Sequence, residues 1–143
     1  MGTKRIWEVS AMLRSEDKQE VLHTSNRSSF EMCVFDLICK YPCPVYELSY
    51  DGVTIGMGGI SREFNEDKSV IWLCFTPEYE KHKLAFLKLS KELLMKLVDM
   101  YGVLTNIVWL KNKTHVEYLN WLGAKWYPIN EDFAVFMLGD EKL

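Results

Sequence analysis

Four sets of residues in this sequence are of the types that move protons, hold phosphate or bind metal. Asn112, His115 and Tyr118 lie three apart near the C-terminus. An imidazole titrates close to neutral pH and can give or take a proton, and a phenol can protonate a leaving group. His115 also falls in the first turn of an expected helix, where a surface role competes with a chemical one. The basic run Lys81-His82-Lys83 follows Glu78 and Glu80 and precedes Leu84 and Ala85. At the start of a helix such cations can hold phosphate, although a short charge run also suits a solvated helix face. Glu47 and Glu63 lie on or beside expected strands, where either carboxylate could act as a base. The cysteines are Cys33, Cys39, Cys43 and Cys74. Cys33 and Cys74 stand in apolar runs, and Cys39 and Cys43 flank Lys40-Tyr41-Pro42 with no second ligand pair. That pattern predicts buried thiols with no metal and no disulfide framework.

The elements that must position these groups follow from periodicity and caps. Ile6-Trp7-Glu8-Val9 reads as a short first strand. Ser15 caps a helix whose first turn holds Glu16 and Asp17, complementing the helix dipole. Ser28 and Glu31 form a capping box for a second helix, with Phe30, Val34, Leu37, Ile38 and Tyr41 on one face, and Pro42 and Pro44 stopping it. Val45–Tyr50 and Val53–Ile60 form a hairpin through Asp51-Gly52. After a turn at Asn65-Glu66-Asp67-Lys68, Ser69–Phe75 is apolar enough for a central strand.

Thr76-Pro77 opens the longest helix, with Leu84, Leu87, Leu94, Leu97, Val98 and Tyr101 as its core stripe and Gly102 ending it. Residues 104–110 form a strand. A second capping box, Thr114 to Glu117, starts a short helix that ends at Gly123. Two strands, around Ala124–Tyr127 and Phe133–Leu138, finish the chain. The order β-α-α-β-β-β-α-β-α-β-β predicts an α/β fold, a mixed sheet with helices on both faces.

One domain, residues 1–143, is the natural count at this length. Such a domain buries roughly 68–70% of its unfolded surface, and 48% hydrophobic residues supply the core. The net charge of −3 argues against a nucleic-acid partner. The apolar runs fall short of the ~20 residues that span a membrane. A soluble, cytosolic protein is expected.

The order of elements, the Asp51-Gly52 hairpin with Gly56-Met57-Gly58-Gly59, the junction at Phe75–Ala85 and the segment from Asn112 to Ala124 resemble the GNAT N-acetyltransferases over essentially the whole chain. The resemblance implies that a splay between two central parallel strands admits the pantetheine arm of acetyl-CoA, and that the loop opening the long helix wraps the pyrophosphate. Cys74, Phe75, His82, Lys83, Leu84, Ala85 and Asn112 are then the cofactor-binding positions, and His115 and Tyr118 the catalytic candidates. The family's loop pattern, Gln/Arg-x-x-Gly-x-Gly/Ala, meets Glu80-Lys81-His82-Lys83-Leu84-Ala85, of which only Ala85 fits. In the family's Asn-x-x-Ala-x-x-x-Tyr-x-x-x-Gly pattern, His115 takes the Ala place and Leu119 the Tyr place. Tyr118 lies one residue early, which turns it about 100° around the helix.

A narrower group is similar in its tail: small GNAT-like internal virion or assembly proteins of T7-like podophages. Val108-Trp109-Leu110, Asn112, Thr114-His115, Tyr118-Leu119 and Leu122-Gly123-Ala124 carry that likeness. It implies a phage-encoded accessory protein in the host cytoplasm or the virion, working in virion assembly or host takeover by binding a phage or host protein, with a degenerate acyl-CoA site. The alternative it leaves open is an active acetyl-CoA-dependent N-acetyltransferase that modifies a host or phage target. Five tryptophans offer aromatic anchors for a protein partner, although Trp72 and Trp109 belong to strands expected to be central. An apolar edge strand at Phe133–Leu138 points to a homodimer.

Overall fold

The computed structural model describes residues 1–39, 44–65 and 68–139, and the side chains of 61–65 lie outside the description. Tyr41, Pro42, Cys43, the turn residues Glu66 and Asp67, and the Glu63 side chain therefore fall beyond it. Twelve elements follow one another among the described residues: α1 (Thr3–Met12), α2 (Ser15–His23), α3 (Phe30–Cys39), β1 (Val45–Tyr50), β2 (Val53–Asn65), β3 (Lys68–Phe75), α4 (Glu78–Lys81), α5 (Lys83–Tyr101), β4 (Val103–Trp109), α6 (Lys113–Trp121), β5 (Lys125–Pro128) and β6 (Phe133–Leu138). The strands form a six-stranded mixed sheet in the order β1-β2-β3-β4-β6-β5. The expected α/β class with a mixed sheet is what the chain adopts.

The chain divides into two compact units, one from Met1–Gly59 with Trp72–His82, the other from Ile60–Ile71 with Lys83–Leu143. In the first, Ile6, Val9 and Leu13 of the N-terminal helical segment pack with Val34, Val45, Met57 and Cys74. The hairpin turn has Asp51 at φ 52° and Gly52 at φ 76°, so both central residues take the left-handed conformation that a two-residue hairpin requires. The glycines of β2 permit close packing of strands. A Cβ on Gly56 would collide with the Cys74 carbonyl oxygen, and one on Gly58 would approach the Trp72 carbonyl oxygen to 2.7 Å.

In the second unit β3 and β4 run parallel, pairing Lys68–Val70 with Val103–Thr105. Asn106 then extends the contact with its side chain: Nδ2 donates to the Ile71 carbonyl at 2.9 Å. Phe86, Leu87, Leu94 and Val98 of α5 are buried, as are Leu104, Val108, Tyr118, Leu119, Phe136 and Leu138.

Several expected elements differ. Ile6–Val9 is helical, not a strand: Ile6, Val9 and Leu13 recur at i, i+3 and i+7, which puts them on one helix face, while Trp7 is exposed. Ser15 is the first helical residue of α2 rather than its cap, and Arg14 holds the cap position, where its side chain makes no capping hydrogen bond. In α3 the capping hydroxyl belongs to Ser29, which accepts from the Met32 N–H at 3.3 Å, one residue later than expected. The long helix is broken at His82 into α4 and α5, and Leu84 is exposed rather than core. The Thr114–Glu117 capping box is not formed, because Asn112 takes the N-cap position and Glu117 pairs with Lys83. Finally, β6 is bonded on both sides, by β4 and β5, so the edge expected to support a dimer is an interior strand.

Candidate functional site

The cofactor positions begin at the end of β3, and strand alternation decides which way its backbone points. The Thr76 N–H donates to the Ile55 carbonyl of β2 at 2.7 Å. Its neighbour Phe75 therefore directs its own N–H and C=O to the opposite edge, the one turned away from β2. In the family it resembles, this is the edge that would receive the pantetheine arm.

Here both groups of Phe75 are already bonded within the chain. Its N–H donates to the Asp17 carboxylate, and its carbonyl accepts from the Arg14 backbone N–H at 2.8 Å. The guanidinium of Arg14 in turn meets Asp17 at 2.9 Å, and both side chains are buried. A charge-assisted bond from a buried carboxylate is among the stronger ones available to a strand end. The Phe75 ring stacks on Tyr79 at 4.4 Å with 5° between the planes, and neither residue is exposed to solvent. Cys74 beside it is buried. Desolvation, and then the negative charges of Asp17 and Glu20, push its thiol well above its ordinary value, so it stays protonated and unreactive.

The segment after β3 is a closed turn of helix. Glu78–Lys81 form α4, and His82, at φ −121° and ψ 20°, separates it from α5. Lys81 pairs with Glu78 at 3.3 Å, and His82 Nε2 lies 4.0 Å from the same carboxylate. The His82 ring also stands 5.7 Å from that of Tyr50. Lys83, at the start of α5, is ion-paired with Glu117 of α6. Lys81 and Lys83 thus each lean on a carboxylate of the chain itself, and His82 lies beside one. Leu84 is 75% exposed, and Ala85 is half-buried.

The catalytic candidates lie on α6, in the second unit. Asn112 is fully buried, with its N–H donating to the Trp109 carbonyl at 3.0 Å and its carbonyl receiving the Val116 N–H at 3.1 Å. His115, expected to favour the surface, is buried. Tyr118 is 1% exposed and packs against Phe86, with ring centroids 6.4 Å apart. Burial pushes its phenol up to about 12, and a hydrogen bond with Ser90 offsets this only in part. Leu119, at the position of the family's tyrosine, is as deeply buried. α6 therefore gathers His115 and Tyr118 into its packed face, a setting that serves the core better than proton delivery.

Glu47 is no better placed as a base. Arg5 grips it bidentately at 2.8 and 2.7 Å, and the Thr54 hydroxyl donates to it at 2.6 Å. The Arg5 hydrogen bond first, then that of Thr54, holds the carboxyl down at about 2, which removes most of its basicity. Sequence reasoning passed over Arg14, Arg5 and Asn106, and took Asp17 only as a helix-dipole charge. Only one signal pointed to any of them: Arg14 and Asp17 stand at helical i, i+3 spacing, with opposite charges.

Among the described residues no group of three or more metal-ligating side chains gathers, and no helix is long and apolar enough to cross a membrane. No curated protein matches the sequence. Solved structures do resemble the fold. A domain from Methanocaldococcus jannaschii DSM 2661 superposes with a TM-score of 0.69 at 12% identity, over 96% of this chain and 94% of that one. A GNAT-family acetyltransferase from Bacillus anthracis gives 0.65 at 13%, over 96% and 89%. The PaiA N-acetyltransferase from Thermoplasma acidophilum, solved with coenzyme A, gives 0.63 at 14%, over 96% and 94%. These likenesses establish a GNAT-like fold. A family model described as bacteriophage T7, probable scaffold protein Gp13, matches residues 48–131. With well over half its length matched, the chain belongs to the Gp13 probable scaffold protein family of bacteriophage T7, built on a GNAT-like fold.

Proposed function

We propose that this protein is a phage accessory factor that acts by binding another protein, in virion assembly or in host takeover, on a GNAT scaffold whose acyl-CoA site has decayed. The observation that carries the reading is the bonding of Phe75: the N–H and C=O on the edge of β3 turned away from β2 are held by Asp17 and Arg14. A pantetheine arm would have to displace a buried, charge-assisted bond to reach them. The loop adds to this. Lys83 replaces the glycine that would let phosphate approach the backbone, and its charge is spent on Glu117. Membership of a scaffold-protein family supports a role in the host cytoplasm or the virion with a protein partner. The acidic balance of the chain fits a partner other than nucleic acid.

A second reading is an acetyl-CoA-dependent N-acetyltransferase. It is favoured by the coenzyme A bound to the structurally similar PaiA and by the glycine-rich stretch of β2, with Asn112 as the retained motif residue. Calorimetry with acetyl-CoA separates the two. No heat at millimolar cofactor is expected. Micromolar binding that disappears in Lys83→Glu would establish the enzyme reading instead.

A further inference from the structure

We propose that the groove where the end of α6 meets α5 is a docking site for an acidic segment of a partner protein, which seats one large apolar side chain on Trp121. This rests on the protein-binding reading above and names the chemistry of the partner. The groove is broad and open to solvent, about 620 Å³ in volume, and is lined by Lys88, Lys91, Glu92, Met95, Lys96 and Trp121. Five of these lie on α5 at i, i+3, i+4, i+7 and i+8, the spacing of a single helix face. That spacing usually marks an apolar stripe turned to the core. Here the core stripe is a different one, Phe86, Leu87, Ser90, Leu94 and Val98, and the groove face is cationic and largely exposed.

Three lysines against one carboxylate give the groove a positive charge on a chain whose formal charge is −3. Trp121 is 42% exposed, and the Lys91 ammonium stands 4.9 Å from its ring centroid. An indole so held is a preformed apolar platform with a cation over one face, and tryptophan is among the residue types enriched in binding hot spots. Met95, with its adaptable thioether, lines the apolar part of the groove. Leu89 and Leu93, 54% and 51% exposed, extend the apolar surface on the same helix. Carboxylates on the lysines and one leucine or aromatic ring on Trp121 match this arrangement. A nucleic acid fits less well, because Glu92 interrupts the basic face and the backbone of a polyanion needs a continuous one.

The full chain is titrated with a blocked synthetic peptide of aspartates and glutamates around a central Leu-Phe pair. The reporter is the Trp121 indole N–H resonance, assigned by its loss in Trp121→Phe. A saturable shift is expected, weakened at least roughly tenfold in K88E/K91E/K96E and absent with a peptide carrying lysines in place of the acids. All three substituted positions are exposed, and an unchanged melting temperature verifies the fold of the variant. Equal affinity of variant and parent overturns the proposal. So does tighter binding of a single-stranded oligonucleotide, or a concentration-dependent shift of Trp121 without peptide that the variant loses, since that would make a second copy of the chain the occupant. Acetyl-CoA added to the same sample tests the reading beneath. A silent groove with silent cofactor overturns the groove alone, whereas cofactor binding overturns the protein-binding reading itself.

Discussion

Asp17 ties the start of α2 to the end of β3: one carboxylate oxygen faces the Arg14 guanidinium and the other takes the Phe75 N–H. Removing it leaves a buried cation and a buried amide short of a partner, a combination that costs more than the pair contributes when intact. Asp17→Ala is expected to lower stability by about 2–4 kcal/mol, measured by denaturant unfolding; an unchanged midpoint would mean that the pair does not hold the strand end. Glu47 gives a pH signature. Its folded value, about 2, lies below the ordinary 4.5. Its contribution is therefore complete above about pH 4.5 and is lost as pH falls towards about 2. Because Arg5 is 40% exposed, solvent screening limits the effect to about 1 kcal/mol. Glu47→Gln should flatten the acid limb of the stability profile across that window, lowering stability at neutral pH and converging with the parent near pH 2. At this scale the sequence was informative about residue type and poor about partners. Asp17 read as a helix-dipole charge and Glu47 as one of two strand carboxylates able to act as a base, since nothing local places Phe75 or Arg5 beside them. His115 and Tyr118 were legible as a spacing, but their burial was not, and Phe86 and Ser90 of α5 stand beside Tyr118.

The elements follow the same logic over longer spans. The six strands were readable because alternation, apolar runs and Asp51-Gly52 each act within a few residues. α1 was not, since Ile6-Trp7-Glu8-Val9 is too short to separate a period of 2 from one of 3.6, and only Leu13 completes the helical face. The break at His82 was equally hidden: Thr76-Pro77 is a good helix start and Lys83–Tyr101 a good helix, so the two read as one. The glycines of β2 carry an element-scale prediction. Gly56→Ala places a methyl against the Cys74 carbonyl, backbone that cannot swing aside as a side chain would. A loss of about 3 kcal/mol is expected, visible as a fall in thermal midpoint. A neutral outcome would show that β2 and β3 tolerate a wider separation, and that the glycines serve something other than strand packing.

For the whole molecule, fold and activity separate. The element order and the segment from Asn112 to Ala124 were enough to recognise a GNAT-like fold, and the superpositions at 12–14% identity bear this out. What the sequence could not supply was the state of the site, which depends on contacts between residues far apart in the chain, such as Arg14 with Phe75. The edge of β3 that a cofactor arm would use is bonded to α2 and the residue before it, while the exposed aromatic and basic surface lies elsewhere, on α5 and α6. The protein-binding reading requires that edge to be closed, and the amide resonance of Phe75 tests this most directly. During titration with acetyl-CoA to millimolar concentration, the Phe75 N–H is expected to stay in place and to exchange slowly with solvent. A saturable shift of that resonance at micromolar cofactor, with loss of its protection, would contradict it.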